Sequence, residues 1–205
     1  MAFLFIFLEF CDVMFFGSFD IEIWYILIVL FVKSIVFGGI EEIGWRYTFQ
    51  PILEEEIGFF VSTVITFILW GIWHFLYFYV DNTISEVRML SFLFGLFINS
   101  FILAALYKKT ESLWICVMTH SLINTFAQIS VGGNSYISYL SKIFIVIVAC
   151  LVSKNERKDR YSSQFIEQKN INWFKIWNFI FMTIYYYFTV FIIRKGVIIY
   201  GIYGK

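Results

Sequence analysis

Long apolar runs alternate with short polar stretches along this chain of 205 residues. A helix needs about 20 apolar residues to cross roughly 30 Å of bilayer hydrocarbon, because each residue rises about 1.5 Å. We therefore predict an all-α fold, a polytopic transmembrane helix bundle of about six to seven transmembrane helices. The pattern predicts seven helical segments, at about 3–19, 24–50, 58–80, 89–107, 112–131, 136–152 and 174–199.

Two of these segments carry features of their own. The first is short and has Glu9 and Asp12 three residues apart on one helical face, so an interfacial position is the alternative to a membrane span. The second is longer than a minimal span and is predicted to end at Pro51, because the residue before a proline is disfavoured in helical geometry. This places Glu41 inside the helix rather than in a loop.

Composition makes the bilayer the expected solvent. Hydrophobic residues make up 60% of the chain and the mean hydropathy is +0.80, whereas globular domains are roughly 45–50% apolar. The net charge of zero argues against a nucleic-acid binder. No basic residue precedes Lys33, so we expect a retained helix rather than a cleaved signal peptide. Abundant Phe, Ile and Tyr beside one Pro suggest AT-rich coding, which favours a bacterial plasma membrane.

The chain is predicted to form a single integral membrane domain over 1–205, with one long polar loop at 153–173. Lysine and arginine gather on cytoplasmic loops, and this rule places that loop and the N-terminus inside the cell. The three cysteines lie in apolar stretches without CxxC spacing and are interpreted as small buried side chains. The basic residues that set the orientation are Lys108, Lys109, Lys154, Arg157, Lys158, Arg160 and Lys169.

Ionisable residues within apolar helices are costly, about 2.5–3.5 kcal/mol each on insertion scales, so their clustering indicates function. Glu42 and Arg46 are separated by four residues, which allows their side chains to pair along one helix face. Glu41 is turned about 100° away and presents its carboxylate to another surface. A stabilising Glu–Glu–Arg cluster between helices is the alternative to a catalytic role.

Both histidines of the chain also lie in apolar segments. His120 and Asn124 share a helix face, and both side chains donate hydrogen bonds while neutral, as an oxyanion requires. A polar clasp between helices is the alternative. Trp70, four residues before His74, is interpreted as packing.

Together, Glu41-Glu42-xxx-Arg46, Trp70-xxx-His74 and His120-xxx-Asn124 resemble the three motifs of the CAAX-protease and bacteriocin-processing (CPBP) family, which includes the type II CAAX prenyl endopeptidases. The resemblance covers residues 24–131, the predicted catalytic core. One departure is Trp70, where that pattern usually has Phe.

The resemblance implies an intramembrane endopeptidase that acts on a membrane-associated or lipid-modified peptide. Its catalytic residues would be Glu41, which activates water, His74, which holds and polarises that water, and His120 with Asn124, which stabilise the oxyanion. Glu42 and Arg46 would support the site. The cofactor is open between none and one divalent metal such as zinc, held by Glu41, His74 and His120.

Other intramembrane protease chemistries are excluded, because the sequence has no HExxH, GxGD or GxSG motif. A different class of function is a non-catalytic membrane protein, such as a bacteriocin self-immunity factor, in which the polar residues hold helices together. A transporter is disfavoured because no internal repeat with broken helices is present. The expected partners are the lipid bilayer and a peptide substrate.

Overall fold

The computed structural model describes residues 1–21 and 23–154, most of which are helical. The elements in chain order are α1 (Ala2–Phe16), β1 (Gly17–Phe19), α2 (Trp24–Phe37), a 3₁₀ turn (Gly39–Glu41), α3 (Glu42–Gly44), a π-helix (Trp45–Phe49), α4 (Gln50–Ile57), α5 (Phe59–Val80), α6 (Met89–Thr110), α7 (Leu113–Ile129), β2 (Ser130–Gly132) and α8 (Ser135–Lys154).

The predicted all-α class is confirmed, and six of the seven predicted segments correspond to helices. Within the described residues, α5, α6 and α8 are long and apolar enough to cross a membrane, and α7 is a shorter apolar helix. The number of spans stays a prediction. The seventh segment at 174–199 and most of the predicted polar loop at 153–173 lie outside the described residues.

The second predicted segment is not one regular helix. It is interrupted after Phe37 by a glycine pair and the 3₁₀ turn, so Glu41 lies at the end of a tight turn rather than within an α-helix. The prediction that Pro51 ends this segment is wrong, because α4 continues to Ile57. Pro51 occupies the first turn of α4, where a missing N–H costs nothing, and the wider π turn before it leaves room for its ring.

The glycine pair lets α2 and the 3₁₀ turn approach α7 closely. A side-chain Cβ at Gly39 would lie 2.8 Å from Ser121 Oγ and 2.8 Å from Val117 Cγ1. Such distances are well inside ordinary van der Waals contact, so any larger residue would push the two segments apart. The break in the second segment therefore follows from a tertiary contact.

The chain divides into two compact units. The first comprises 1–71 and 90–157, and its buried core is centred on α6, where Phe101 packs against Phe59, Phe60 and Phe97. A short antiparallel pairing joins β1 to β2 after α1 and α7. The face of α1 that carries Glu9 and Asp12 lies within this unit, where α1 packs against α8.

The second unit comprises 72–89 and 158–205, of which 72–89 are described. These residues form the end of α5 and a turn in which the Asp81 N–H donates to the Tyr77 carbonyl at 2.9 Å. Asn82 takes a left-handed conformation with φ of 57°, which asparagine tolerates better than most residues. The single domain over 1–205 stays a prediction.

Candidate active site

The two adjacent glutamates point to different partners, as their helical offset predicts. Glu42 Oε1 accepts a hydrogen bond from Arg46 Nη1 at 3.2 Å and lies 2.8 Å from His120 Nδ1. Glu41 Oε2 instead accepts a hydrogen bond from Trp70 Nε1 at 2.7 Å. One carboxylate therefore neutralises the arginine, while its neighbour is held by a different helix.

Arg46 is fully buried, and two different groups compensate its charge. Glu42 provides the ion pair, and the Trp70 ring lies beneath the guanidinium, with 4.2 Å between Cζ and the ring centroid. Removing one member of such a buried pair leaves a desolvated charge without its partner. Glu42 Oε2, Arg46 Nε and Arg46 Nη2 make no hydrogen bond within the described residues. The cluster thus keeps unused hydrogen-bonding capacity in the protein interior.

The contact between His120 and Glu42 determines where the imidazole carries its proton. A neutral His120 keeps its proton on Nδ1, because that nitrogen faces a carboxylate oxygen at 2.8 Å. Nε2 is then an acceptor, and it becomes a donor only when the ring is an imidazolium. The role of His120 at an oxyanion stays a prediction, and with the proton of a neutral ring on Nδ1 it would require the imidazolium form.

His120 and Asn124 face a common space beside Gly38, as their i and i+4 spacing predicts. A Cβ placed on Gly38 would lie 3.3 Å from His120 Nε2 and 2.7 Å from Asn124 Nδ2. Gly38 is buried, and it immediately precedes the turn that carries Glu41. The absence of a side chain at this position lets both nitrogens lie close to the backbone of Gly38.

Trp70 has a role that the sequence analysis missed. Its indole is completely buried, and the Nε1–H contacts Glu41 in addition to the packing that was expected. The ring also meets the His120 ring edge-on, with centroids 5.3 Å apart and an interplanar angle of 90°. The residue type alone could have indicated this hydrogen bond, because tryptophan has an N–H donor that phenylalanine lacks.

His74 lies on α5 in the second unit, where its ring centroid is 6.2 Å from that of Phe78. Its role in the site stays a prediction. Among residues 1–21 and 23–154, no three His, Cys, Asp or Glu side chains form a group that could hold a metal ion. The metal set of Glu41, His74 and His120 also stays a prediction, although a histidine whose Nδ1 meets a carboxylate has the orientation common among metal ligands.

Comparison with known proteins agrees with the motif pattern. A family model described as type II CAAX prenyl endopeptidase Rce1-like matches residues 22–126, just over half of the chain. The match includes the candidate site residues Glu41, Glu42, His74, His120 and Asn124. No curated protein and no solved structure matches the chain significantly. With its apolar helices and this match, the chain is an integral membrane protein that belongs to the type II CAAX prenyl endopeptidase Rce1-like family.

Proposed function

We propose that this protein is an intramembrane endopeptidase that hydrolyses a peptide bond of a membrane-associated or lipid-modified peptide, with Glu41 as the base that activates water. The observation that carries the proposal is the convergence of His120 Nε2 and Asn124 Nδ2 beside Gly38, three residues before Glu41. Two nitrogens that lie close to one point are suited to stabilise a developing oxyanion, provided that both carry a proton.

The reaction proceeds through addition and elimination. Glu41 takes a proton from water, and the hydroxide oxygen attacks the carbonyl carbon while the carbonyl electron pair moves to oxygen. The tetrahedral intermediate collapses, the carbon–nitrogen bond breaks, and the leaving nitrogen receives the proton held by Glu41. Asn124 donates to the oxyanion through Nδ2, and His120 donates through Nε2 in its imidazolium form.

Glu42 and Arg46 support this chemistry through His120. The carboxylate of Glu42 lies between Arg46 Nη1 and His120 Nδ1, so it orients the imidazole. We include His74 in the catalytic set on the basis of the motif resemblance alone. A zinc ion, if held by Glu41, His74 and His120, would supply a polarised water.

The test is a comparison of wild-type protein with Glu41→Gln, both purified and reconstituted in liposomes. A quenched peptide with a prenylated cysteine near its C-terminus is the first probe, and peptide profiling of expressing membranes extends the search to other substrates. We expect cleavage by wild type and none by Glu41→Gln, because glutamine cannot accept the proton. Glu55→Gln is the matched control, since Glu55 is an exposed carboxylate on α4.

Two outcomes would contradict the proposal. Equal cleavage by Glu41→Gln and wild type would remove Glu41 from the reaction. Full biological activity of Glu41→Gln in cells would instead favour the non-catalytic role, in which the polar cluster only joins helices. Metal analysis of the purified protein, followed by chelation and addition of zinc, tests the metal set separately.

A further inference from the structure

Trp70 contacts three members of the candidate site at once. Its Nε1–H donates to Glu41 Oε2 at 2.7 Å, the Arg46 guanidinium covers its ring at 4.2 Å, and the His120 ring meets it at 90°. Glu41 and Trp70 are 29 residues apart in the chain, so this hydrogen bond joins the 3₁₀ turn to α5.

These contacts fix the direction of the indole N–H. The ring is fully buried between a cation and an imidazole, so its side-chain torsions are restrained by packing on more than one side. The cation over the ring face also withdraws electron density from the indole, which strengthens its N–H as a donor. A carboxylate oxygen that accepts from such a donor is restrained in position.

That restraint matters because the terminal torsion of a glutamate is broad when no partner limits it. A general base must lie within hydrogen-bond reach of the proton that it takes, and small displacements are costly. We propose that Trp70 is a positioning residue for the proposed reaction, which orients the Glu41 carboxylate through its indole N–H. The inference rests on the proposed function, and it concerns the hydrogen bond rather than the aromatic ring.

Phenylalanine provides the direct test, since it is the residue usual at this place in the motif and keeps an aromatic ring without an N–H. We expect Trp70→Phe to lower kcat about tenfold, the order of effect of a hydrogen bond to a charged group, with KM within twofold of wild type. A role in packing alone would instead lower stability and leave kcat of the folded protein unchanged. Unchanged kcat in folded Trp70→Phe overturns the proposal.

An isosteric replacement keeps the proposal testable if Trp70→Phe does not fold. Incorporation of 3-benzothienylalanine at position 70 exchanges the indole N–H for sulfur and conserves the shape of the ring system. We expect the same fall in kcat as in Trp70→Phe. The matched control is Trp45→Phe, because the Trp45 ring packs 6.5 Å from that of Trp70 and should leave activity within twofold of wild type.

The hydrogen bond can also be observed without catalysis. The chain has seven tryptophans, and the indole N–H resonance lost in Trp70→Phe identifies Trp70 in spectra of ¹⁵N-labelled protein. We expect this resonance to shift upfield in Glu41→Gln, because a neutral amide is a weaker acceptor than a carboxylate. An unchanged position would show that the bond is absent and would overturn the proposal.

The two failures are distinguishable. If wild-type cleavage does not depend on Glu41, the proposed function and the positioning role fall together. If cleavage depends on Glu41 and the indole resonance responds to Glu41→Gln, but Trp70→Phe keeps full kcat, the positioning role alone falls.

Discussion

Two polar clusters in the first unit, one largely buried and the other largely half-buried, invite comparison. Both place charged side chains between apolar helices, where an unpaired charge is costly. The site cluster links the second segment to α5 and α7, whereas the α1–α8 cluster links the first and last described helices. The site cluster consists of Glu41, Glu42, Arg46, Trp70 and His120, and the α1–α8 cluster consists of Glu9, Asp12, Ser138 and Lys142.

The two clusters differ in how their atoms are used. In the α1–α8 cluster, Lys142 Nζ lies 3.9 Å from Glu9 Oε1 and donates to Ser138 Oγ at 2.9 Å. Lys142 thus makes one long ion pair across the helices and one hydrogen bond within its own helix. In the site cluster, Glu42 has two partners and the adjacent His120 directs its second nitrogen toward the space beside Gly38. Burial of charge alone therefore does not distinguish the two clusters, whereas the closeness of two side-chain nitrogens to Gly38 does.

The largest expected effect is the loss of the arginine from the site cluster. Arg46→Ala leaves Glu42 buried without its cation, and we expect it to lower the free energy of unfolding by about 3–5 kcal/mol. Denaturant or thermal unfolding in detergent micelles measures this change. Lys142→Ala is the comparison in the α1–α8 cluster, and an equal loss in both variants would contradict the distinction between the clusters.

The second largest effect is expected from the loss of the Asn124 amide, one of the two side-chain nitrogens close to Gly38. Asn124→Ala should lower kcat by about 10²–10³, or about 2.7–4 kcal/mol, the range for removal of one oxyanion donor. The variant should remain folded, because Asn124 is only partly buried. Gln128→Ala, one turn later on the same helix and exposed, should keep kcat within twofold. Similar rates for the two variants would remove Asn124 from the reaction.

A smaller effect should follow from filling the space beside Gly38. Gly38→Ala places a methyl group 2.7 Å from Asn124 Nδ2 and 3.3 Å from His120 Nε2, so we expect kcat/KM to fall about tenfold through crowding of the reacting atoms. Gly95→Ala is the control, since a Cβ there meets no atom within 4 Å. Unchanged kcat/KM in Gly38→Ala would show that the reaction does not use this space.

The smallest effect is expected from the α1–α8 cluster. Glu9→Gln removes one charge of a loose pair, and Lys142 keeps Ser138 as a partner. We expect a loss of up to about 1 kcal/mol in the free energy of unfolding, as for weak ion pairs, and no change in kcat. A fall in kcat comparable with that of Asn124→Ala would show that the two clusters act together.

The sequence predicts what depends on neighbours along the chain. The apolar segments correspond to helices because length and hydropathy are local properties, and the pairing of Glu42 with Arg46 follows from helical spacing. The match to residues 22–126 agrees with the order of the motifs. The break at the glycine pair was not predicted, because it depends on the close approach of α7. The continuation of the helix past Pro51 was not predicted either, because it depends on the preceding π turn.

Tertiary contacts also decide the details of the site. The tautomer of His120 depends on Glu42, which is 78 residues away in the chain, and the role of Trp70 depends on Glu41 at a separation of 29. Spacing within one helix contains no information about either contact. The placement of His74 in the site, which spacing and resemblance alone support, stays a prediction for the same reason.

The π-helix at Trp45–Phe49 makes this segment sensitive to its length. Its i to i+5 hydrogen bonds accommodate one extra residue in a turn. A single-residue deletion there would restore a regular α turn, whereas a further insertion would rotate the residues that follow by about 100° relative to those before it. Gln50, which donates from Nε2 to Thr63 Oγ1 at 2.9 Å, would lose its alignment with α5 while Arg46 kept its own with Glu42. Insertions at 45–49 should therefore be tolerated far less than most side-chain exchanges, and less than a deletion of one residue.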